Sequence, residues 1–291
     1  MIARALLLCI ALLMAIAAPA MAQRIKVVAS FSILGDMAER VGGDRIELRT
    51  LAGPDSDAHM FEPTAADARA VAQAKLLLVN GLAFDTWAGR LAKASGSSAQ
   101  IVVASHGVKA LNRGTSDPHA WQDVRNALIY VANIADGLAA ADPLNAEAYR
   151  TNATAYADEL RRLDADIRAQ LAVIPIARRR VISTHDAFAY FAAAYEVRFL
   201  APLGTSTEEQ ASAKGVARLI AQIKREKVTA VFVENISDPR LIEQIARETG
   251  VKIGGKLYSD ALSTKAGPAP TYVAMMRHNA KLLTAAMPQG H

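Results

Sequence analysis

Six histidines occur among the 291 residues: His59, His106, His119, His185, His278 and His291. Three of them sit in unusual loop-like junctions. His59 lies in Asp57-Ala58-His59-Met60-Phe61-Glu62-Pro63, His119 in Asp117-Pro118-His119-Ala120-Trp121, and His185 in Ser183-Thr184-His185-Asp186-Ala187-Phe188. Asp260, in Leu257-Tyr258-Ser259-Asp260-Ala261, is a fourth such position. Imidazole and carboxylate are the donors that suit Zn²⁺, and they also serve Mn²⁺ and Fe²⁺. Three His and one Asp would close around zinc at ~2.0–2.2 Å per bond. A single carboxylate offsets only part of the dication's charge, which suits reversible release better than a permanent structural site. The intervals of 60, 66 and 75 residues match no short zinc pattern, and His-Glu-x-x-His is absent.

These positions need elements to bring them together. Short β-branched apolar runs alternate with amphipathic stretches. Residues 25–31, 46–51, 75–79 and 101–104 read as strands, with residues 33–41, 65–74 and 85–94 as helices between them. Such alternation predicts βαβ units and a mainly parallel sheet. The pattern then breaks into two long helical stretches, 120–141 and 143–171. In the second, apolar residues recur three or four apart, Pro143 suits the first turn, and Pro175 stops the run. At 1.5 Å per residue that helix would be roughly 40 Å long, a stiff connector with no Gly/Ser linker. Beyond it the alternation resumes, with strands at 180–183, 197–200, 229–233 and 252–254 and helices at 187–195, 210–227, 238–249 and 271–287. The fold class is therefore α/β, two lobes each with a mainly parallel sheet flanked by helices and bridged by one long rigid helix. All four candidate residues follow strands or precede helices, on the side where open parallel sheets bind ligands.

The first 22 residues read as a signal peptide. Arg4 supplies the positive start, residues 5–18 are apolar, and Ala20-Met21-Ala22 offers a cleavage pattern, so that Gln23 begins the mature chain. The apolar run is shorter than the ~20 residues a membrane span needs. Cys9, the single cysteine, lies mid-run rather than at its end, which argues against a lipid attachment there. A mature chain without cysteine has no disulfide, thiolate site or cysteine nucleophile. The expected divisions are an N-terminal lobe over 23–141, a connecting helix over 142–175 and a C-terminal lobe over 176–291. The net charge of +5, or +4 without Arg4, is interspersed, leaving no clustered basic face for nucleic acid.

The segments Val27-Val28-Ala29-Ser30-Phe31 with Gly35-Asp36, 57–63, Asp117-Pro118-His119-Ala120-Trp121-Gln122-Asp123, 184–191, Val231-Phe232-Val233-Glu234 and Leu257-Tyr258-Ser259-Asp260 resemble the zinc/manganese solute-binding proteins of ABC importers, the cluster A-I receptors. The resemblance covers essentially the whole mature chain. It implies that His59, His119, His185 and Asp260 coordinate one transported metal ion. It also implies a periplasmic location, an inner-membrane ABC permease as partner, a periplasmic metal chaperone as a further candidate partner, and a monomer with no enzymatic activity. Manganese and iron receptors of this family usually carry Glu at the third position. His185 makes the chain similar to the three-His-plus-Asp members of the AztC zinc type, and imidazole-rich ligation favours Zn²⁺ over Mn²⁺. Many zinc receptors also have a His-rich loop before the second ligand, whereas residues 105–116 carry only His106.

Blander roles stand beside these. Asp260 could cap a following helix. His278 reads as a solvated helix face, His291 as the chain end, and His106 as a loop residue or accessory metal contact. Glu62, Asp123, Asp186 and Glu234 are candidate acceptors for the outer N–H of ligating imidazoles, or else caps and surface charges. Trp121, Phe188, Tyr190 and Phe191 read as packing that shields the site. Two rival classes remain open. A secreted zinc hydrolase would need an open coordination position, and no Gly-x-Ser-x-Gly elbow accompanies the histidines. An adhesin of the same fold would need no metal.

Overall fold

The computed structural model of the chain describes residues 24–111, 116–208 and 211–287. The expected signal peptide, Cys9 and His291 lie outside the described residues. Two four-stranded sheets, all of whose pairings are parallel, organise the molecule. The first contains β1 (Ile25–Phe31), β2 (Ile46–Ala52), β3 (Leu76–Val79) and β4 (Gln100–Val103), in the order β2-β1-β3-β4. Its helices are α1 (Ser32–Gly42), α2 (Ala65–Gln73) and α3 (Thr86–Ala94). The second contains β5 (Arg180–Ile182), β6 (Arg198–Leu200), β7 (Ala230–Glu234) and β8 (Lys252–Leu257), ordered β6-β5-β7-β8. Its helices are α6 (Ala189–Tyr195), α7 (Ala213–Glu226), α8 (Arg240–Thr249) and α9 (Tyr272–Ala286), where α4 (Val124–Ala141) and α5 (Ala146–Ala172) lie between the two sheets in sequence. Central strands read as continuous apolar runs because both faces are covered: every residue of β3 is buried, as are Val27, Val28 and Ala29 of β1.

Helix α5 is the connector. Its 27 residues span about 40 Å. Tyr149, Ala153, Tyr156, Leu160, Leu163, Ile167 and Leu171 form one buried stripe at intervals of three and four. Pro143 opens a single 3-10 turn, Pro143–Asn145, just ahead of it. Arg40 from α1 reaches Glu159 on this helix at 2.6 Å, and Arg168 donates to the carbonyl of Ala194 in α6 at 2.8 Å, so both lobes hold it.

The lobes are not separated by an open gap. One hydrophobic cluster runs from Val27, Ile33 and Leu76 through Trp121, Tyr130 and Leu160 to Phe191, Phe232, Leu257 and Leu283. Smaller clusters fill the outer sides: Leu77, Trp87 and Ala88 in the first lobe, Ile182, Ile223 and Ile245 in the second. Buried hydrogen bonds cross the same interface. Trp121 Nε1 and Gln122 Nε2 both donate to the carbonyl of Ser259, at 2.9 and 2.8 Å. Tyr272 donates its hydroxyl proton to the Trp121 carbonyl at 2.6 Å.

Two local differences from the sequence reading have physical reasons. Residues 120–122 form a 3-10 turn, and α4 begins only at Val124, because Asp123 caps it by accepting from Arg125 N at 2.9 Å. Strand β8 does not stop at Gly254. It continues to Leu257 through a register shift opposite Val231 and Phe232, with Gly255 at φ +133°. A Cβ at Gly254 would lie 2.6 Å from the Phe232 ring. The glycines that look like a terminator are a bulge that lets the chain pass Phe232 and aim the segment ending in Asp260 inward.

Candidate metal centre

The loops that leave β2, β4, β5 and β8 all open at the carboxyl ends of parallel strands, and each delivers one of the four side chains. One donor atom from each of His59, His119, His185 and Asp260 lies within 4.8 Å of all the others. Asp260 is the hub. Its Oδ2 is 3.2 Å from His59 Nε2 and 3.1 Å from His185 Nε2, and its Oδ1 is 3.6 Å from His119 Nε2. The imidazole centroids are 5.2 to 5.8 Å apart. Donors held ~2.1 Å from a central tetrahedral ion are about 3.4 Å from one another, close to the Asp260 distances.

None of the three Nε2 atoms, nor either oxygen of Asp260, has a hydrogen-bond partner, although all are buried. Burying unsatisfied polar atoms is costly, so a cluster of them facing one point is a place built for a shared partner. A divalent cation fits the donor set. Both oxygens of Asp260 face inward, which permits monodentate or bidentate attachment.

Each loop has its own scaffold. Asp57 Oδ1 accepts the N–H of His59 at 2.9 Å, Trp87 Nε1 donates to the Ala58 carbonyl at 2.9 Å, and the His59 ring packs edge-on against Phe84 at 4.7 Å. Asp117 Oδ1 accepts from His119 N and also contacts His119 Nδ1, both at 2.9 Å. Asn80 donates to the Pro118 carbonyl at 3.0 Å and is itself held by Tyr130 at 2.6 Å. Glu234, at the end of β7, accepts from Thr184 N and His185 N through Oε1 at 2.7 and 3.0 Å, while its Oε2 is 2.6 Å from His185 Nδ1. A carboxylate on Nδ1 leaves Nε2 directed into the centre as a lone-pair donor.

Electrostatics follow from this packing. Burial alone would lower the pKa of His119, but the charge of Asp260 and the contact with Asp117 outweigh it and hold the pKa above the usual histidine value. His185 is held well above it, as Glu234 and Asp260 overcome the same desolvation. Burial would raise Asp260, yet His185 and His119 pull it well below the ordinary carboxylate range. The raised histidines and the lowered aspartate are one attraction seen from its two ends.

Of the four acceptors suggested by sequence, Glu234 contacts a site imidazole. Asp123 caps α4 and pairs with Arg125, Glu62 is exposed, and Asp186 uses its backbone N–H on the Gly204 carbonyl at 3.0 Å. Asp117 was the missed partner. The signal was available, since an Asp two residues before a loop His can bond both its N–H and its ring. Tyr190 does more than pack: its hydroxyl donates to the Asp117 carbonyl at 3.2 Å and accepts from Leu111 N at 3.0 Å. Asp260 caps no helix, because α9 begins only at Tyr272, with Thr271 as its cap. His106 is exposed and stands apart from the four. His278 is half-buried against Tyr258, with Nε2 3.0 Å from the Lys256 carbonyl.

Comparison with known proteins agrees with this architecture. Residues 27–286 match the family model described as zinc-uptake complex component A, periplasmic. The chain is 33% identical over 268 residues to the manganese-binding lipoprotein MntA of Halalkalibacterium halodurans, covering 91% of this chain and 89% of that one. It is 33% identical to the iron-binding protein YfeA of Yersinia pestis, covering 88% and 84%. Among solved structures, the periplasmic zinc-binding protein TroA of Treponema pallidum superposes with a TM-score of 0.86 at 30% identity, covering 90% of this chain and 99% of that one.

Proposed function

Because the chain belongs to the family of zinc-uptake complex component A, we propose that it captures one Zn²⁺ between its two lobes through His59, His119, His185 and Asp260 and delivers it to a membrane permease. At the coarser level it is an extracytoplasmic substrate-binding protein of a metal ABC importer. It is not an enzyme, and it works with a membrane permease and its ATPase. The metal is cargo, so affinity must be high enough to hold the ion and reversible enough to release it.

The observation that carries the zinc reading is the convergence of three buried imidazole Nε2 atoms, without hydrogen bonds, on one carboxylate. Three nitrogen donors favour the softer Zn²⁺ over Mn²⁺. Four protein ligands also fill a tetrahedral sphere, leaving no open position for the water that a zinc hydrolase needs. A second reading, a manganese or iron receptor, draws on the inward aim of both Asp260 oxygens and on the names of MntA and YfeA. The rest of the proposal is a signal peptide over residues 1–22, a soluble monomer in the periplasm, and lobes over 23–141 and 176–291 joined by 142–175.

The deciding experiment is metal analysis of protein purified from its native compartment, since nearly any nitrogen-rich site prefers zinc in a test tube. Stoichiometric zinc supports the proposal, and manganese or iron would overturn the choice of zinc. Alanine at any of the four positions should weaken Zn²⁺ binding by at least a hundredfold in a chelator competition.

A further inference from the structure

His59 differs from the other three site residues. Its side chain keeps 6% exposure where those of His119, His185 and Asp260 have none. It alone of the four borders a cavity of about 490 Å³, shared with Glu62, Phe84, Thr205, Ser206 and Glu208. His119 and His185 each have a carboxylate on Nδ1, from Asp117 and Glu234. Among the described residues no side chain plays that part for His59. Its backbone N–H is held by Asp57 Oδ1 at 2.9 Å, and its ring packs against Phe84.

The other oxygen of Asp57 is equally committed. Oδ2 accepts the hydroxyl proton of Thr207 at 2.6 Å, across 150 residues of sequence and from the opposite lobe. Thr207 lies in the segment after β6 that also supplies Thr205, Ser206 and Glu208 to the cavity wall. Three residues upstream, the Gly204 carbonyl accepts the N–H of Asp186, next to His185. The segment thus touches the His185 loop at one end and, through Asp57, the His59 loop at the other.

We propose that Asp57 is a positioning residue which, through its bond to Thr207, locks the least-buried ligand His59 and so sets the rate at which a bound ion leaves. This rests on the metal-receptor reading of the same site. With both ties made, the backbone that carries His59 cannot shift toward the cavity without breaking a hydrogen bond to the Asp57 side chain. Loss of the Thr207 tie removes the bond that Asp57 itself makes to the second lobe, leaving that lobe's hold on the loop two residues away, at Asp55, which bonds the Leu262 carbonyl and Asn235. His59 then becomes the first ligand to let go, and the cavity beside it is the way out.

The test is release of Zn²⁺ from the loaded full-length chain into an excess of a colorimetric chelator. Thr207→Val removes the hydroxyl while keeping the shape, and release should be roughly tenfold faster, the order for one hydrogen bond to a carboxylate. Thr207→Ser restores the hydroxyl and should restore the slow rate. Asp57→Ala should be at least as fast as Thr207→Val, and the double variant no faster than Asp57→Ala, because coupled residues are not additive. An unchanged rate in Thr207→Val, or effects that simply add, would overturn the proposal. Failure of the unaltered chain to hold Zn²⁺, Mn²⁺ or Fe²⁺ at all would instead overturn the receptor reading on which it rests.

Discussion

Glu234 holds His185 from both sides of the peptide. Oε1 takes the N–H of His185 at 3.0 Å, and Oε2 lies 2.6 Å from Nδ1 of the same residue. One carboxylate therefore fixes both where the loop runs and which ring nitrogen faces the centre. Glu234→Gln keeps the shape and loses the charge, and metal affinity should fall by 10- to 100-fold, read as a chelator-competition constant. An affinity equal to that of the unaltered protein would mean that backbone packing alone orients the ring.

His185→Glu exchanges a nitrogen donor for an oxygen donor. The ratio of Zn²⁺ to Mn²⁺ affinity should drop by at least tenfold in direct competition, since carboxylate suits the harder ion. The new side chain would face Glu234 and Asp260, so the metal-free variant should also melt below the unaltered protein. Added Mn²⁺ should recover the loss. A variant that still prefers zinc to the same degree would show that cavity shape, not donor type, sets selectivity.

Proton competition gives a pH dependence with a definite sign. His119 and His185 have pKa values raised above the usual 6.5 in the folded chain. Their protonated forms therefore stabilise the metal-free fold fully below pH 6.5, and that contribution is lost as pH rises through the raised values. Metal binding needs the neutral rings and runs the other way. The increase in melting temperature on adding Zn²⁺ should grow steadily from pH 5.5 upward and continue growing above pH 6.5. A metal-induced increase that stays flat across this range would contradict protonated, Asp260-paired imidazoles.

Asp36 carries a separate signature. Burial pushes its carboxyl up to about 6, against the hydrogen bond it accepts from Tyr272 N at the start of α9. The folded state therefore favours its protonated form. Its contribution to stability should be greatest below the unfolded value of 3.8, decline as pH rises toward about 6, and level off above it. Asp36→Asn keeps an acceptor for Tyr272 and should remove that part of the slope in denaturation midpoints measured from pH 4 to 7. An identical slope in the variant would place the titration elsewhere.

The shared core and the connector predict small motion. Metal-free and metal-loaded protein should differ in radius of gyration by under about 1 Å, as in pre-organised binding proteins. A larger change in solution scattering would require breaking the Trp121 and Gln122 bonds to Ser259.

Much of this organisation is legible in the chain. Short continuous apolar runs such as β3 and the 3-4 spacing of α5 locate the elements, and side chains at strand ends are candidates for one site because parallel sheets place those ends together. The four residues singled out by type do meet in space. What escaped the sequence depends on contacts between distant segments or on exceptions to local rules. Thr207 meets Asp57 across 150 residues of sequence, and Tyr190 meets Asp117 across 73. The Gly254-Gly255 pair looks like a strand end and sits at a register shift, with Gly254 close against Phe232 and Gly255 close against Leu282. Asp117 is the opposite case: its signal is local, but an Asp-Pro pair also reads as an ordinary turn.

A core that passes without interruption from Val27 to Leu283 makes the two halves co-dependent. Cutting the chain at the junction before Pro143 would leave each piece with half of a hydrophobic interior facing water, so separately expressed halves should be insoluble. Heat should melt the intact chain in one cooperative calorimetric peak rather than two. The ion, seated where the halves meet, would then act as a fastener for the whole polypeptide, and its departure would loosen both ends together.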